Sequence, residues 1–188
     1  MMKPIAKLSL ALGLVVALVL GMNIISNAQS WKTGAKAPDF SGKGSDGKTH
    51  TLKSLTGKKP LVLYFIGHTC PINAQAVTYY NRVATAYKGK VNFVGVIDTD
   101  AAGYKAWQNQ FKAPYPVIFD KDLKIIRSYK AERSPWTILV SPQGNIQKVW
   151  EGYSIGEINE LSASIAGATK SQVAKIDTTG APKNPRAG

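Results

Sequence analysis

Apolar residues fall along this chain in two kinds of pattern. The runs Leu61–Ile66 and 91–97 are almost unbroken and of strand length, as expected of strands buried on both faces of a sheet. Trp136–Val140 is a third such run, and the shorter Val117–Phe119 a fourth. Between the first two lies a stretch with Val77, Tyr80, Val83, Ala84 and Tyr87 at helical spacing. This predicts a helix over 72–87, with Pro71 at its first position, where a missing N–H costs nothing, and Gly89 as its stop. Asp98-Thr99-Asp100 is read as the cap of a second helix over 101–112, which Pro114 and Pro116 break. Residues 122–129 read as a short helix or irregular turn. Ser154 can cap a helix over 155–166. The turn Pro142-Gln143-Gly144-Asn145 joins Trp136–Val140 to Ile146–Trp150 as an antiparallel hairpin. Asp46-Gly47 predicts an earlier hairpin, with Phe40 on one arm and 49–52 on the other.

The predicted order is thus β-α-β-α-β-(α)-β-β-α behind an N-terminal hairpin. Its crossovers require parallel strands with helices on both faces of the sheet, and its closing hairpin adds antiparallel strands. The fold class is α/β with a central mixed sheet.

The two ends differ from the middle. Lys3 and Lys7 precede an apolar stretch over 8–22, and Ser26-Asn27-Ala28 supplies small residues for peptidase cleavage before Gln29. Residues 1–28 therefore read as a secretory signal peptide, and the chain as exported, periplasmic or secreted. An uncleaved membrane anchor is the alternative, although the apolar stretch is short for a span of about 20 residues. The globular domain is placed at 31–167. Residues 168–188 have few apolar positions and carry Gly180, Pro182 and Pro185, so they are read as a disordered tail.

Charge and cysteine content narrow the function classes. The net charge is +13, but Lys and Arg are scattered, with no run of five or six. No nucleic-acid motif accompanies them, so nucleic acid is not an expected partner, and weak association with an anionic membrane surface stays open. No cofactor motif is present and no cofactor is expected. Two histidines and one cysteine, far apart in sequence, make no metal set. An odd thiol in an exported protein is inert and buried, joined to another molecule, or reactive. Cys70 sits where a buried strand is expected to turn into a helix, so its sulfur is expected at the helix N-terminus. Unpaired N–H groups there favour an anion, and a thiol so placed gains reactivity. His68 and Thr69 flank it on the strand side, and His68 could pair with the thiolate or relay a proton.

Four pieces in order, Ala37-Pro38-Asp39-Phe40, the Leu61–Ile66 strand running into Cys70-Pro71, Ser134-Pro135 before Trp136–Val140, and Pro142-Gln143-Gly144, resemble the thioredoxin-like redoxin superfamily. That superfamily includes thioredoxins, membrane-anchored thiol reductases and AhpC/TSA peroxiredoxins. The resemblance implies a thioredoxin fold and a cis peptide bond before Pro135, with that proline facing Cys70. It also implies Cys70, His68, Thr69 and Pro135 as catalytic residues, with Arg133 and Trp136 lining the substrate groove. For Trp136, a place in the core is the equal alternative.

The departures from the family carry as much weight. Asn73 stands where a dithiol member has its resolving cysteine, and Leu63 and Gly67 stand where a peroxiredoxin has its Pro and its peroxide-activating Thr. Two function classes follow. In one, Cys70 is the centre of a monothiol oxidoreductase or antioxidant acting on a peroxide or a disulfide, with an external thiol reductant or partner protein thiol to resolve it. In the other, the domain is a non-enzymatic binding module whose Cys70 is structural or forms one stable mixed disulfide.

Overall fold

A computed structural model describes residues 31–188; the expected signal segment, 1–28, lies outside them. Among the described residues no helix is long and apolar enough to cross a membrane. Five strands form the main sheet: β3 (Leu61–Ile66), β4 (Asn92–Ile97), β5 (Val117–Phe119), β6 (Trp136–Val140) and β7 (Ile146–Trp150). Their order is β5-β4-β3-β6-β7, parallel from β3 to β5 and antiparallel at β6 and β7. The wholly apolar β3 is the central strand, and all six of its residues are buried.

Strand alternation divides these side chains between two cores. Val62, Tyr64 and Ile66 face one side with Phe93, Ile97 and Leu139, while Leu61, Leu63 and Phe65 face the other with Val94, Val96 and Ile138. Each fully buried aliphatic side chain contributes about 1.5–3 kcal/mol. The first core is covered by α2 (Pro71–Ala86), α3 (Ala101–Phe111) and α5 (Ile155–Thr169). Successive crossovers from β3 to β4 to β5 run in one direction across the sheet, so α2 and α3 share that face. The second core is covered by α1 (Leu52–Leu55), α4 (Lys124–Ser128) and the N-terminal residues Ala37 and Phe40. The predicted order of elements therefore holds, with a thioredoxin fold and helices on both faces.

Three details differ from the sequence reading. Leu52 does not extend the hairpin, whose strands are β1 (Ser41–Lys43) and β2 (Thr49–Thr51), but starts the one-turn α1. Thr51 and Ser54 exchange side-chain and backbone bonds there as a capping box. The last helix runs on to Thr169, where Lys170 ends it with left-handed backbone. Beyond it, the stretch expected to be disordered lies along α2 instead. Ile176 is buried in the first core, Ala174 N–H donates to the Tyr87 hydroxyl, and the Tyr79 hydroxyl donates to the Thr179 carbonyl. Composition undercounts this packing because one buried isoleucine and backbone groups do the holding, not a periodic apolar face.

The N-terminal segment crosses beneath the second core and meets both edges of the sheet. At β7, Gly34 N–H donates to the Ile146 carbonyl and Ile146 N–H to the Ala35 carbonyl, at 2.7 and 2.8 Å. At β5, Gly44 bridges Ile118, and Ser45 N–H donates to the Val117 carbonyl at 2.8 Å.

Candidate functional site

The site forms where β3 ends. Gly67 leaves the strand, His68 and Thr69 make an exposed turn, and Cys70 is the N-cap of α2, with Pro71 in its first turn. Cys70 backbone is extended (φ −73°, ψ 118°) and its side chain makes no capping bond. The thiol thus lies beside helix N–H groups that it does not itself satisfy, at the positive end of the helix dipole. The thiol is half-buried and points at the loop before β6, with Sγ 3.6 Å from the Ser134 carbonyl oxygen. The peptide bond between Ser134 and Pro135 is cis, as the resemblance implied, and the loop it shapes faces Cys70. Gly67 suits this close approach: a Cβ there would lie 3.0 Å from Cys70 Cβ and 3.2 Å from Ser134 Cβ, so one of these neighbours would have to give by a few tenths of an ångström. A threonine at that position, as in a peroxiredoxin, would meet both.

A buried polar chain fixes the loop. Burial holds the Tyr64 hydroxyl protonated well above its ordinary range, so it donates to Asn73 Oδ1 at 3.1 Å. The Asn73 amide in turn donates to Ser134 Oγ at 2.7 Å, and Gly67 N–H donates to the same oxygen at 2.8 Å. Asn73 is fully buried. The residue in place of a second thiol therefore ties α2, β3 and the cis-proline loop together. Nothing in the sequence pattern flagged that role beyond a polar residue in the buried first turn of α2.

The other expected site residues fall out differently. His68 does not engage the thiol; its Nδ1 lies 2.8 Å from Asp98 Oδ1, and its backbone N–H donates to the same oxygen at 2.8 Å. Asp98 was read as part of the α3 cap, yet Asp100 alone supplies that cap, to the N–H groups of Ala102 and Gly103. Thr69 is exposed. Arg133 lines a cavity of about 580 Å³ beside Cys70, together with Arg127, Lys130, Glu132 and Asp98. Trp136 does not line it. As the first residue of β6, Trp136 turns with Ile138 and Val140 into the second core and is 6% exposed, which corrects the groove reading in favour of the core. Among the described residues no His, Cys, Asp or Glu cluster could hold a metal ion.

The stretch after α5 reaches this site. Gly188 and Ser134 exchange both backbone hydrogen bonds, each 2.9 Å. Arg186 and Tyr153 do the same at 3.0 and 2.9 Å.

Comparison with known proteins agrees with this geometry. Thiol-disulfide oxidoreductase ResA of Bacillus thuringiensis is 29% identical over 133 residues, which cover 70% of this chain and 76% of that protein. The chloroplastic peroxiredoxin Q of Triticum aestivum is 30% identical over 98 residues, covering 51% and 45%. A Chlorobium tepidum crystal structure described as a thiol:disulfide interchange protein DsbE superposes with a TM-score of 0.67 at 26% identity, over 74% of this chain and 99% of that one. The family model for AhpC/TSA matches residues 33–149, a span that holds β3, Cys70 and the Ser134-Pro135 loop, and on that match the chain belongs to the AhpC/TSA family.

Proposed function

We propose that this protein is an exported monothiol oxidoreductase in which Cys70 carries thiol-disulfide exchange. The observation that carries the reading is the placement of Cys70 at the N-terminus of α2, facing the Ser134-Pro135 loop, with Asn73 where a second thiol would stand. The thiol-disulfide oxidoreductase names of its relatives support the same chemistry. In the reaction, the Cys70 thiolate attacks one sulfur of a partner disulfide. A mixed disulfide forms on Cys70 and the partner's other sulfur leaves as thiolate. A first external thiol attacks the Cys70 sulfur and releases the partner's second sulfur as thiol, leaving Cys70 joined to the external thiol. A second external thiol then attacks that joined thiol's sulfur, releasing the Cys70 thiolate and forming a disulfide of the two external thiols, so that two electrons pass from them to the substrate. Asn73 cannot resolve the intermediate, so resolution is always intermolecular.

Disulfide is favoured over peroxide as substrate by Gly67, which offers no side-chain hydroxyl where a peroxiredoxin has its peroxide-activating Thr. Arg133 borders the cavity from which a partner reaches Cys70. The cis bond to Pro135 shapes the loop whose Ser134 lines that cavity, and His68, held by Asp98, fixes the turn that presents the thiol. External thiol reductants and partner protein thiols are the proposed partners, encountered outside the cytoplasm.

The test is turnover of a small disulfide with reduced glutathione as the external thiol. The wild type is expected to turn over and to yield a Cys70–glutathione mixed disulfide by mass spectrometry, and Cys70→Ser to do neither while keeping its fold. Substituting hydrogen peroxide for the disulfide gives slow or no turnover on this reading. A wild type that alkylates slowly and turns over neither substrate would mark the domain as a binding module instead.

A further inference from the structure

The stretch that follows α5 retraces α2 from its last turn to its first. Ala174 sits at Tyr87, Asp177 at Arg82, Thr179 at Tyr79, and Gly188 against Ile72 and Cys70. Its two halves are held differently. The upstream half is anchored by the buried Ile176 and by Ser162 Oγ, which donates to the Ala174 carbonyl at 2.8 Å. Downstream, residues 183–186 are exposed. This half is tied by backbone bonds, the reciprocal pairs Arg186–Tyr153 and Gly188–Ser134, with Ile155 N–H donating to the Pro182 carbonyl just upstream.

Two glycines are fitted to this docking. A Cβ on Gly152 would lie 2.6 Å from the Arg186 carbonyl oxygen, and Gly152 has φ +124°. A Cβ on Gly188 would lie 2.9 Å from Cys70 Sγ and 3.3 Å from Ile72 Cγ1. The backbone at 188 therefore passes so near the thiol that a side chain there would collide with it. Gly188 N–H also donates to the Ser134 carbonyl, the same oxygen that lies 3.6 Å from Sγ. A partner chain approaching Cys70 along the edge of Ser134 would need those same backbone groups.

We propose that residues 183–188 are an autoinhibitory strap, which occupies the Ser134 edge in extended form and covers Cys70 until it is displaced. The inference rests on the proposed function for its consequence, since covering an inert thiol would regulate nothing. The anchor at Ile176 keeps the strap close when it opens, and Gly180, with φ +84°, is a joint between the two halves. Opening exchanges backbone bonds for bonds to water and removes nothing from the core, so the equilibrium is readily shifted by a competing strand. The apparent reactivity of Cys70 then scales with the fraction of open molecules.

The test reads access to the thiol and not turnover. In the full chain, Arg186→Pro with Gly188→Pro removes the two strap donors to Tyr153 and Ser134 and leaves Ile176 in place. Iodoacetamide alkylation of Cys70 is expected to run about tenfold faster than in the wild type, the ratio that corresponds to a closing free energy of about 1.4 kcal/mol. A chain shortened after Pro182 is expected to match it. Faster hydrogen exchange at the Ser134 and Tyr153 amides should accompany the change, with a loss of overall stability no larger than that same closing free energy. Alkylation at the wild-type rate in the shortened chain would overturn the strap. If alkylation quickens but Cys70→Ser retains turnover, the redox function falls and with it the autoinhibitory role, while the cover over Cys70 stands.

Discussion

At the residue scale, the most informative position is 73. A dithiol active site places a cysteine there, and this chain places an amide whose Oδ1 accepts from Tyr64 and whose Nδ2 donates to Ser134. Asn73→Ala leaves the buried Tyr64 hydroxyl without its acceptor, and Ser134 Oγ keeps only the Gly67 N–H as a donor. The expected loss is roughly 1–3 kcal/mol, the cost of leaving such groups unsatisfied, measured as a fall in the urea midpoint with the slope unchanged. Asn73→Cys is expected to combine that loss with a new behaviour. Under mild oxidant the introduced thiol should close an internal disulfide with Cys70, visible as protection of both sulfurs from alkylation. The sequence made Cys70 legible because a strand-to-helix junction can be read from apolar runs and a proline, and Ser134-Pro135 legible because it precedes a strong strand. It did not show that His68 turns to Asp98, since a contact across thirty positions leaves no local pattern. Trp136 was ambiguous for the same reason. Which face a strand's first residue joins depends on the register of β6 against β3, where it sits opposite Phe65.

At the element scale, β3 and α2 meet through aromatic rings. Tyr64 stacks on Tyr80 with ring centroids 4.1 Å apart, and Tyr115 meets Tyr64 edge-on at 6.4 Å. Burial raises all three hydroxyls above the ordinary tyrosine value of 10.0, with the neighbouring tyrosines adding to the effect on Tyr64 and Tyr115. The folded state therefore keeps these protons where the unfolded chain releases them. Above the unfolded value the unfolded state binds fewer protons, so stability falls as pH rises. Full stability is expected up to about pH 10, with progressive loss beyond it and cooperative release of tyrosinate absorbance on unfolding. Tyr64→Phe and Tyr80→Phe should each make that alkaline decline shallower, which a series of denaturation midpoints against pH would read. The strands and the long helices behind this arrangement were legible because each spans enough positions to show its period. The one-turn α1 was not, because four residues with two apolar positions read equally well as the end of a strand.

At the scale of the whole molecule, the order of elements followed from the alternation of apolar runs, but the course of the two ends did not. Both bind mainly through backbone groups, which every sequence possesses, and so leave little compositional trace. For the N-terminal segment this has a consequence beyond the site. Residues 34–45 pair with the start of β7 at Ile146 on one side of the sheet and with Val117 and Ile118 of β5 on the other, so a single piece of chain occupies part of both edges. Sheets with open rows recruit strands from other molecules. A variant lacking residues 31–45 is thus expected to self-associate edge to edge, read as a sedimentation coefficient that climbs with protein concentration. The same variant sedimenting as the parent does would show that the sheet guards its edges by some other means. In the intact chain, this belt is what keeps a sheet of largely apolar strands from becoming a seed for aggregation.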